Sequence, residues 1–380
     1  MNPQLTANEK PPRDRPAPGG RGKVSLRRLD RTLGIVLLAT LGAVRRKRMR
    51  MASPRRIGLM KTTGIGDMIL LTAIARDVVD AFPDADVILF GGPENVDVAG
   101  LVRGARAVRL PTDKPWATVP LLRSQRLDLL VDFGQWTRLE GLYAALSRAS
   151  WTLGFETPGQ RRHYAYDATV RHSNDVHELE NYRRLVRVLG IESRAQPSFA
   201  RSPDAPSPPV SEPYVVFHLW PGGFRSELRE WAPERWRQLA SEFAGRNFSV
   251  VLTGGPGDAR RTEAFIGACG DLARQMVSVA GRYKVPELID VIADARCVIS
   301  VNTGVMHLAA AVGVPTIALN GPTSSRRWGP VGADVASVDS ELPGCGYLDL
   351  GFEYHGQRTD CMTGISVNRV IEAAMERVRV

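Results

Sequence analysis

The chain has 380 residues, an ordinary globular composition and a formal net charge of +10. That length exceeds one ordinary hydrophobic core and suits about two domains. The charge suggests nucleic acid, but residues 1–56 carry fifteen Lys and Arg against three acidic residues, a local +12 that leaves −2 for the other 324 residues. This argues against a nucleic-acid-binding core.

Residues 1–22, rich in Pro, Arg and Gly, read as a disordered tail. Residues 23–54 then turn helical, with Leu26, Leu29, Leu33, Val36, Leu37, Leu41 and Val44 at mostly three- and four-residue steps. Arg27, Arg28 and Arg31 precede this apolar stretch and Arg45, Arg46, Lys47 and Arg48 follow it. Its uncharged run, Thr32 to Val44, is 13 residues long, short of the about 17 to 25 a spanning helix requires. No small-residue cleavage site marks a signal peptide. The expectation is a basic amphipathic helix in an anionic membrane interface, placing a cytoplasmic protein on the inner face of the cytoplasmic membrane. The alternative is a helix packed on the body of the same protein or on a partner chain.

A first α/β domain is expected over 55–190. Its strands are read at Ile57–Met60, Asp86–Phe90 and Leu127–Phe133, its helices at Asp67–Phe82 and Asp175–Leu189, with Leu153 to Phe155 as an edge element. Residues 191–213 form a linker with six prolines between Gln196 and Pro213. A second α/β domain follows over 214–365. Its strands are read at Tyr214–His218, Ser249–Leu252, Met276–Val279, Cys297–Val301 and Thr316–Leu319, with a helix at Pro233–Phe243. Ser366 caps a closing amphipathic helix, 366–380. Alternating strands and helices predict two Rossmann-like, doubly wound parallel sheets. The four cysteines, Cys269, Cys297, Cys345 and Cys361, include no C-x-x-C pair, and Cys345, His355 and Cys361 match no common zinc spacing. Reduced structural thiols and no metal are expected.

Chemistry in such folds gathers where strands run out into helix N-termini. The first such turn is Lys61-Thr62-Thr63-Gly64-Ile65-Gly66-Asp67. It lacks the third small residue of a dinucleotide fingerprint and the Gly-Lys-Ser/Thr of a P-loop. Asp67 is either a helix cap or an ionised carboxylate serving as general base. The second turn is Trp220-Pro221-Gly222-Gly223, followed by Arg229. Two glycines let backbone approach a ligand and the arginine can neutralise phosphate, or the segment is an ordinary turn with a surface arginine. In the third, Thr253-Gly254-Gly255-Pro256-Gly257-Asp258, Asp258 can bind ribose hydroxyls or merely end a tight turn. The fourth unit, Val298 to Pro330, places Asn302, Thr303 and Gly304 at a helix start, His307 one turn in, and Gly321, Pro322 and Thr323 at the next strand end. The helix terminus there can hold a diphosphate as it leaves, while a lone histidine is either structural or ligand-facing.

The pattern N-T-G-x-x-H-L-A-A-A…G-P-T, preceded by K-x-x-x-x-G-D, P-G-G…R-x-W and G-G-P-x-D in that order, resembles glycosyltransferase family 9, the heptosyltransferase-like enzymes. The resemblance runs from residue 55 to about 375. It implies the GT-B fold, two Rossmann-like domains across a cleft, with the first binding acceptor and the second the nucleotide-sugar. The implied reaction is inverting, metal-independent transfer of a sugar from a nucleotide-diphosphate donor to a lipid-linked surface glycan such as lipopolysaccharide core, with no cofactor. Asp67 would be the base and Arg229 a catalytic cation. Lys61, Thr63 and Gly66 would lie on the acceptor side, and Gly222, Gly223, Asp258, Asn302, Thr303, Gly304, His307, Gly321, Pro322 and Thr323 on the donor side. Two departures stand out, since the family carries Lys at the Arg229 position and Asp at the Asn302 position. These leave open a scaffold protein with eroded donor residues, or a nucleotide-sugar epimerase on the same fold.

Overall fold

The structure, a computed structural model, describes residues 24–44, 47–49, 53–203, 205, 207–211, 213–351 and 353–378. The tail over 1–22 and, from the basic cluster, Arg45, Arg46 and Arg50 lie outside the described residues.

The first sheet contains β1 (Arg56–Lys61), β2 (Asp86–Gly91), β3 (Ala105–Arg109), β4 (Leu129–Asp132), β5 (Trp151–Glu156) and β6 (Ala168–Arg171). All pairs are parallel, in the order β3-β2-β1-β4-β5-β6. Ile57 lies opposite both Val87 and Leu129, and β1, β2 and β4 are buried on both faces, which is why they read as unbroken apolar runs. Helices α2 (Ile65–Ala81), α3 (Val96–Ala99), α4 (Pro115–Ser124), α5 (Arg138–Leu146) and α6 (Glu178–Arg187) belong to this half, with α1 (Val24–Val44) packed on it.

The second sheet contains β7 (Tyr214–His218), β8 (Ser249–Thr253), β9 (Met276–Ser278), β10 (Val298–Val301), β11 (Thr316–Asn320) and β12 (Val335–Asp339), parallel in the order β12-β11-β10-β7-β8-β9. Its helices are α7 (Pro233–Ala244), α8 (Ala259–Gly267), α9 (Val285–Ala293), α10 (Gly304–Val312), α11 (Ser325–Trp328) and α12 (Val367–Met375). Ser366 Oγ accepts the N–H of Arg369 and caps α12. Taken in chain order, the two sheets wind identically. Each reverses direction once, between β1 and β4 and between β7 and β10, and those switch points are where doubly wound sheets open a crevice. One hydrophobic cluster runs through both halves, from Ile57 and Ile74 to Ile289 and Leu308.

Two expectations need correction. Leu153 to Phe155 is not an edge, because β6 lies outside it. The edge strands are the short, arginine-bearing β3 and β6, whose polarity keeps them from pairing further. Cys345 and Cys361 are not reduced thiols but a disulfide with sulfurs 2.10 Å apart. It closes the loop that returns to the end of β11, where Gly346 N–H donates to Gly321 O at 3.1 Å and Leu348 N–H to Pro322 O at 2.8 Å. Helix α1 packs on the body of the protein. Asp30, Gly34, Leu38 and Gly42, spaced by four, make one face. Asp30 accepts Leu139 N–H at 3.1 Å and pairs with Arg138 at 3.2 Å, while Leu38 is fully buried. A Cβ at Gly34 would sit 3.0 Å from Arg138, and one at Gly42 would sit 2.8 Å from Tyr164. Beyond it, Arg48 docks on Asp167 at 2.8 Å. Val36 and Leu37, on another face, remain exposed. No described helix is long and apolar enough to cross a membrane.

Candidate active site

At the switch point of the first sheet, β1 ends in Lys61 and the chain turns through Thr62 to Gly64 into α2. Asn95 holds this turn, donating to Lys61 O and Gly64 O at 3.1 Å each. Gly64 has φ +83°, a left-handed conformation that favours glycine, and Asp67 follows in the first helical turn. Its carboxylate is nearly buried. Asp67 Oδ1 meets Lys61 Nζ at 3.0 Å and accepts from Gln135 Nε2 and Tyr182 OH at 3.3 Å each. Lys61 also donates to Gln135 Oε1 at 2.7 Å. The sheet order explains this convergence, because Gln135 follows β4, the strand beside β1. Burial, then Asp67, pushes the Tyr182 phenol well above its usual range, so it stays a donor.

Behind this group lies a second buried set. Arg162 meets Asp132 at 2.6 Å and Glu140 at 3.8 Å, and Tyr166 OH donates to Asp132 at 2.6 Å. Burial pushes Asp132 up, while at Glu140 burial is outweighed by Lys61 and Arg162, which hold its carboxyl below the usual range. Thr62 donates to Glu140 as well. Thr63 sits half-buried in the turn.

The second sheet supplies the opposing wall. Thr303, extended at φ −150°, precedes α10, whose first turn contains no acidic residue. Its start touches the start of α2, since a Cβ at Gly66 would lie 2.7 Å from His307 Cδ2 and one at Gly304 would lie 2.9 Å from Ile65 Cβ. The two helix N-termini thus meet across the cleft, and both glycines are there to permit the approach. Burial, then His177, lowers His307 to about 3, so it is neutral near pH 7. Its Nδ1 has no partner among the described residues. Asn302 donates from Nδ2 to Asn320 Oδ1 at 2.7 Å and to Trp328 O at 2.9 Å. An aspartate could make neither bond, so asparagine here is what ties β10, β11 and α11 together.

The remaining candidates divide. Gly223 adopts φ +97°, whereas a side chain at Gly222 would meet open space. Arg229 donates to Gly222 O and thereby closes the loop between them. Gly321 packs so tightly on Met362 that a Cβ would collide with it. Pro322 and Thr323 are buried beside it, and Gly321 and Thr323 line a cavity of about 220 Å³ with Arg326 and Cys345. Asp258 accepts Gly255 N–H at 2.7 Å on one oxygen and pairs with Arg261 at 2.7 Å on the other. Sequence reasoning missed Gln135 and Tyr182. The first had a signal, the small polar turn after the apolar β4. The second is a single aromatic in a highly charged helix, and no spacing connects it to Asp67.

Two doubly wound domains with facing helix N-termini, one bearing a caged carboxylate, form a crevice of the kind in which such folds take ligands. The family model for glycosyltransferase family 9 (heptosyltransferase) matches residues 150–345, and the chain belongs to that family. Lipopolysaccharide heptosyltransferase 1 of Pseudomonas aeruginosa is 33% identical over 131 residues, which cover 34% of this chain and 35% of that protein. Lipopolysaccharide heptosyltransferase 3 of Escherichia coli is 24% identical over 289 residues, covering 70% and 83%. The matches to the more identical curated relatives thus span about a third of their length. Among solved structures, E. coli ADP-heptose lipopolysaccharide heptosyltransferase II superposes with a TM-score of 0.69 at 17% identity, covering 85% of this chain and 98% of that one. The E. coli heptosyltransferase WaaC with ADP gives 0.65 at 18%, covering 85% and 99%. The fold is GT-B.

Proposed function

We propose that this protein is an inverting, metal- and cofactor-independent glycosyltransferase. It moves a sugar, heptose or another, from a nucleotide-diphosphate donor to a hydroxyl of a lipid-linked surface glycan such as lipopolysaccharide core. The observation that carries this reading is the Asp67 carboxylate, held by Lys61, Gln135 and Tyr182 against the acid-free start of α10. Asp67 accepts the proton of the acceptor hydroxyl, whose oxygen bonds to the anomeric carbon as the bond to the diphosphate breaks on the opposite face. The N–H groups from Thr303 and Gly304 onward, with Arg229, offset the charge gathering on the departing diphosphate. Neutral His307 adds no charge that would compete with either partner.

The relatives named as lipopolysaccharide heptosyltransferases support the acceptor class. Exposed Val36 and Leu37 on α1, between basic segments, support seating on the inner face of an anionic cytoplasmic membrane, without nucleic acid as partner. The bonds made by Asn302 argue against reading it as an eroded donor residue. Calorimetric titration with ADP-, GDP- and UDP-sugars, then incubation of the bound donor with a lipid-linked acceptor with and without chelator, tests the proposal. Product of inverted anomeric configuration in both incubations is expected. Failure to bind any donor favours a scaffold, and interconversion of donor without acceptor favours an epimerase.

A further inference from the structure

Helix α6 touches both halves of the site. Its first residue, Glu178, is fully buried and meets the equally buried Arg327 Nη2 of α11 at 2.8 Å, while Arg327 Nη1 donates to Val176 O at 2.7 Å. One turn later on the same helix, Tyr182 donates its hydroxyl to Asp67. Residues four apart share a helix face, so one face of α6 grips the second domain at its start and the base further on. His177, just before the helix, adds a tie by donating Nε2–H to Gly329 O at 3.0 Å. On the other side, α11 is fixed by the bond from Asn302 to Trp328 O, and Asn302 directly precedes the Thr303 cap of α10.

We propose that Glu178 and Arg327 are positioning residues that transmit the seating of the donor wall to the general base, along Asn302, Trp328, Arg327, Glu178, Tyr182 and Asp67. The proposal rests on the reading of Asp67 as base. A guanidinium in a buried site accepts its carboxylate in few geometries, so displacing α11 displaces the start of α6 and with it the phenol on Asp67. The groups facing Asp67 include Lys61 from β1, Gln135 from the turn after β4, Tyr182 from α6 and His307 from α10. Of these, Tyr182 alone lies on the helix that Glu178 anchors. His172, from the segment after β6, shares the Glu178 carboxylate at 3.0 Å and keeps it from turning away.

The test is a double-mutant cycle in the full chain, with Glu178→Gln, Tyr182→Phe and the pair, read as kcat, donor KM and the pH profile of kcat. Removing a hydrogen bond from an ionised carboxylate raises its pKa. Each single variant should therefore move the acid limb of the profile up by about half to one unit. Each should lower kcat roughly three- to tenfold, with donor KM changed less than about twofold. The double variant should lose nothing further, because both act through one bond. Additive losses, or an unmoved acid limb in Glu178→Gln, overturn the coupling, since a purely structural defect lowers active concentration without shifting the profile. Should Glu178→Gln not fold, Arg327→Lys in its place carries the same cycle, non-additivity supporting the coupling and additivity overturning it. A wild type that transfers no sugar from any donor is a separate result, which removes the transferase reading and the coupling with it.

Discussion

The starts of α2 and α10 follow β1 and β10, each a strand flanking its sheet's switch point, and they touch, yet their chemistry is opposite. Near the N-terminus of α2 the chain supplies its own anion, Asp67, and surrounds it with Lys61, Gln135 and Tyr182. At the N-terminus of α10 the first turn contains no acidic residue, and the nearest titratable neighbour, His307, is kept neutral by burial. A helix terminus favours negative charge in either case. The difference is whether that charge belongs to the protein, where it can take a proton, or to a ligand, where it can leave. On the proposed reading, one wall provides the base and the other the leaving-group site.

The largest expected effect comes from separating the two walls. Arg327→Met leaves Glu178 buried without its arginine, and loss of one partner of a buried pair costs about 3–5 kcal/mol, to be read as a lower urea midpoint; no change would mean the walls are held by apolar contact alone. Next, Gly304→Val drives a branched side chain into Ile65 at the point where the termini meet. Nucleoside diphosphate affinity should fall roughly a hundredfold, the scale expected of an ångström-sized misplacement. Retained affinity would move the anion site away from α10. The smallest effect separates the walls by pH. His307 is held at about 3, His218 at about 4 and His177 below its usual value, in each case first by burial. The unfolded chain takes up these protons first, so stability is full above about pH 6.5 and is lost as pH falls toward 3. For His307 alone the loss between pH 7 and 5.5 is about 1 kcal/mol. Replacing it with Gln should flatten that part of a thermal-melt profile, and an unchanged slope would mean that His307 takes up a proton in the folded protein.

The central strands and the loops at their ends were legible because they are buried on both faces and end in glycine, which both shape and strain announce in sequence. Edge strands β3 and β6 were not, since Arg106, Arg109 and Arg171 make them look like loop. Within the site, Asp67, Gly66, Thr303 and Gly304 were readable from their places at helix starts. Gln135, Tyr182, Glu178 and Arg327 were not, because their importance lies in partners 68, 115 and 149 positions away. Asn302 looked like a departure from its family and proves to be a donor of two hydrogen bonds that a carboxylate could not make. Asp258, read as a ribose ligand, accepts from its own loop and pairs with Arg261. The disulfide between Cys345 and Cys361 joins residues 16 apart, a separation from which no bond could be inferred.

The division of labour between the two helix starts is tested most directly by Asp67→Asn, with nucleotide-sugar affinity and kcat measured on the same preparation. Affinity should stay within about twofold of wild type while kcat falls by roughly two or more orders of magnitude. An unchanged kcat, or a loss of donor affinity equal to the loss of rate, would contradict the assignment of the base to the first wall and the leaving group to the second.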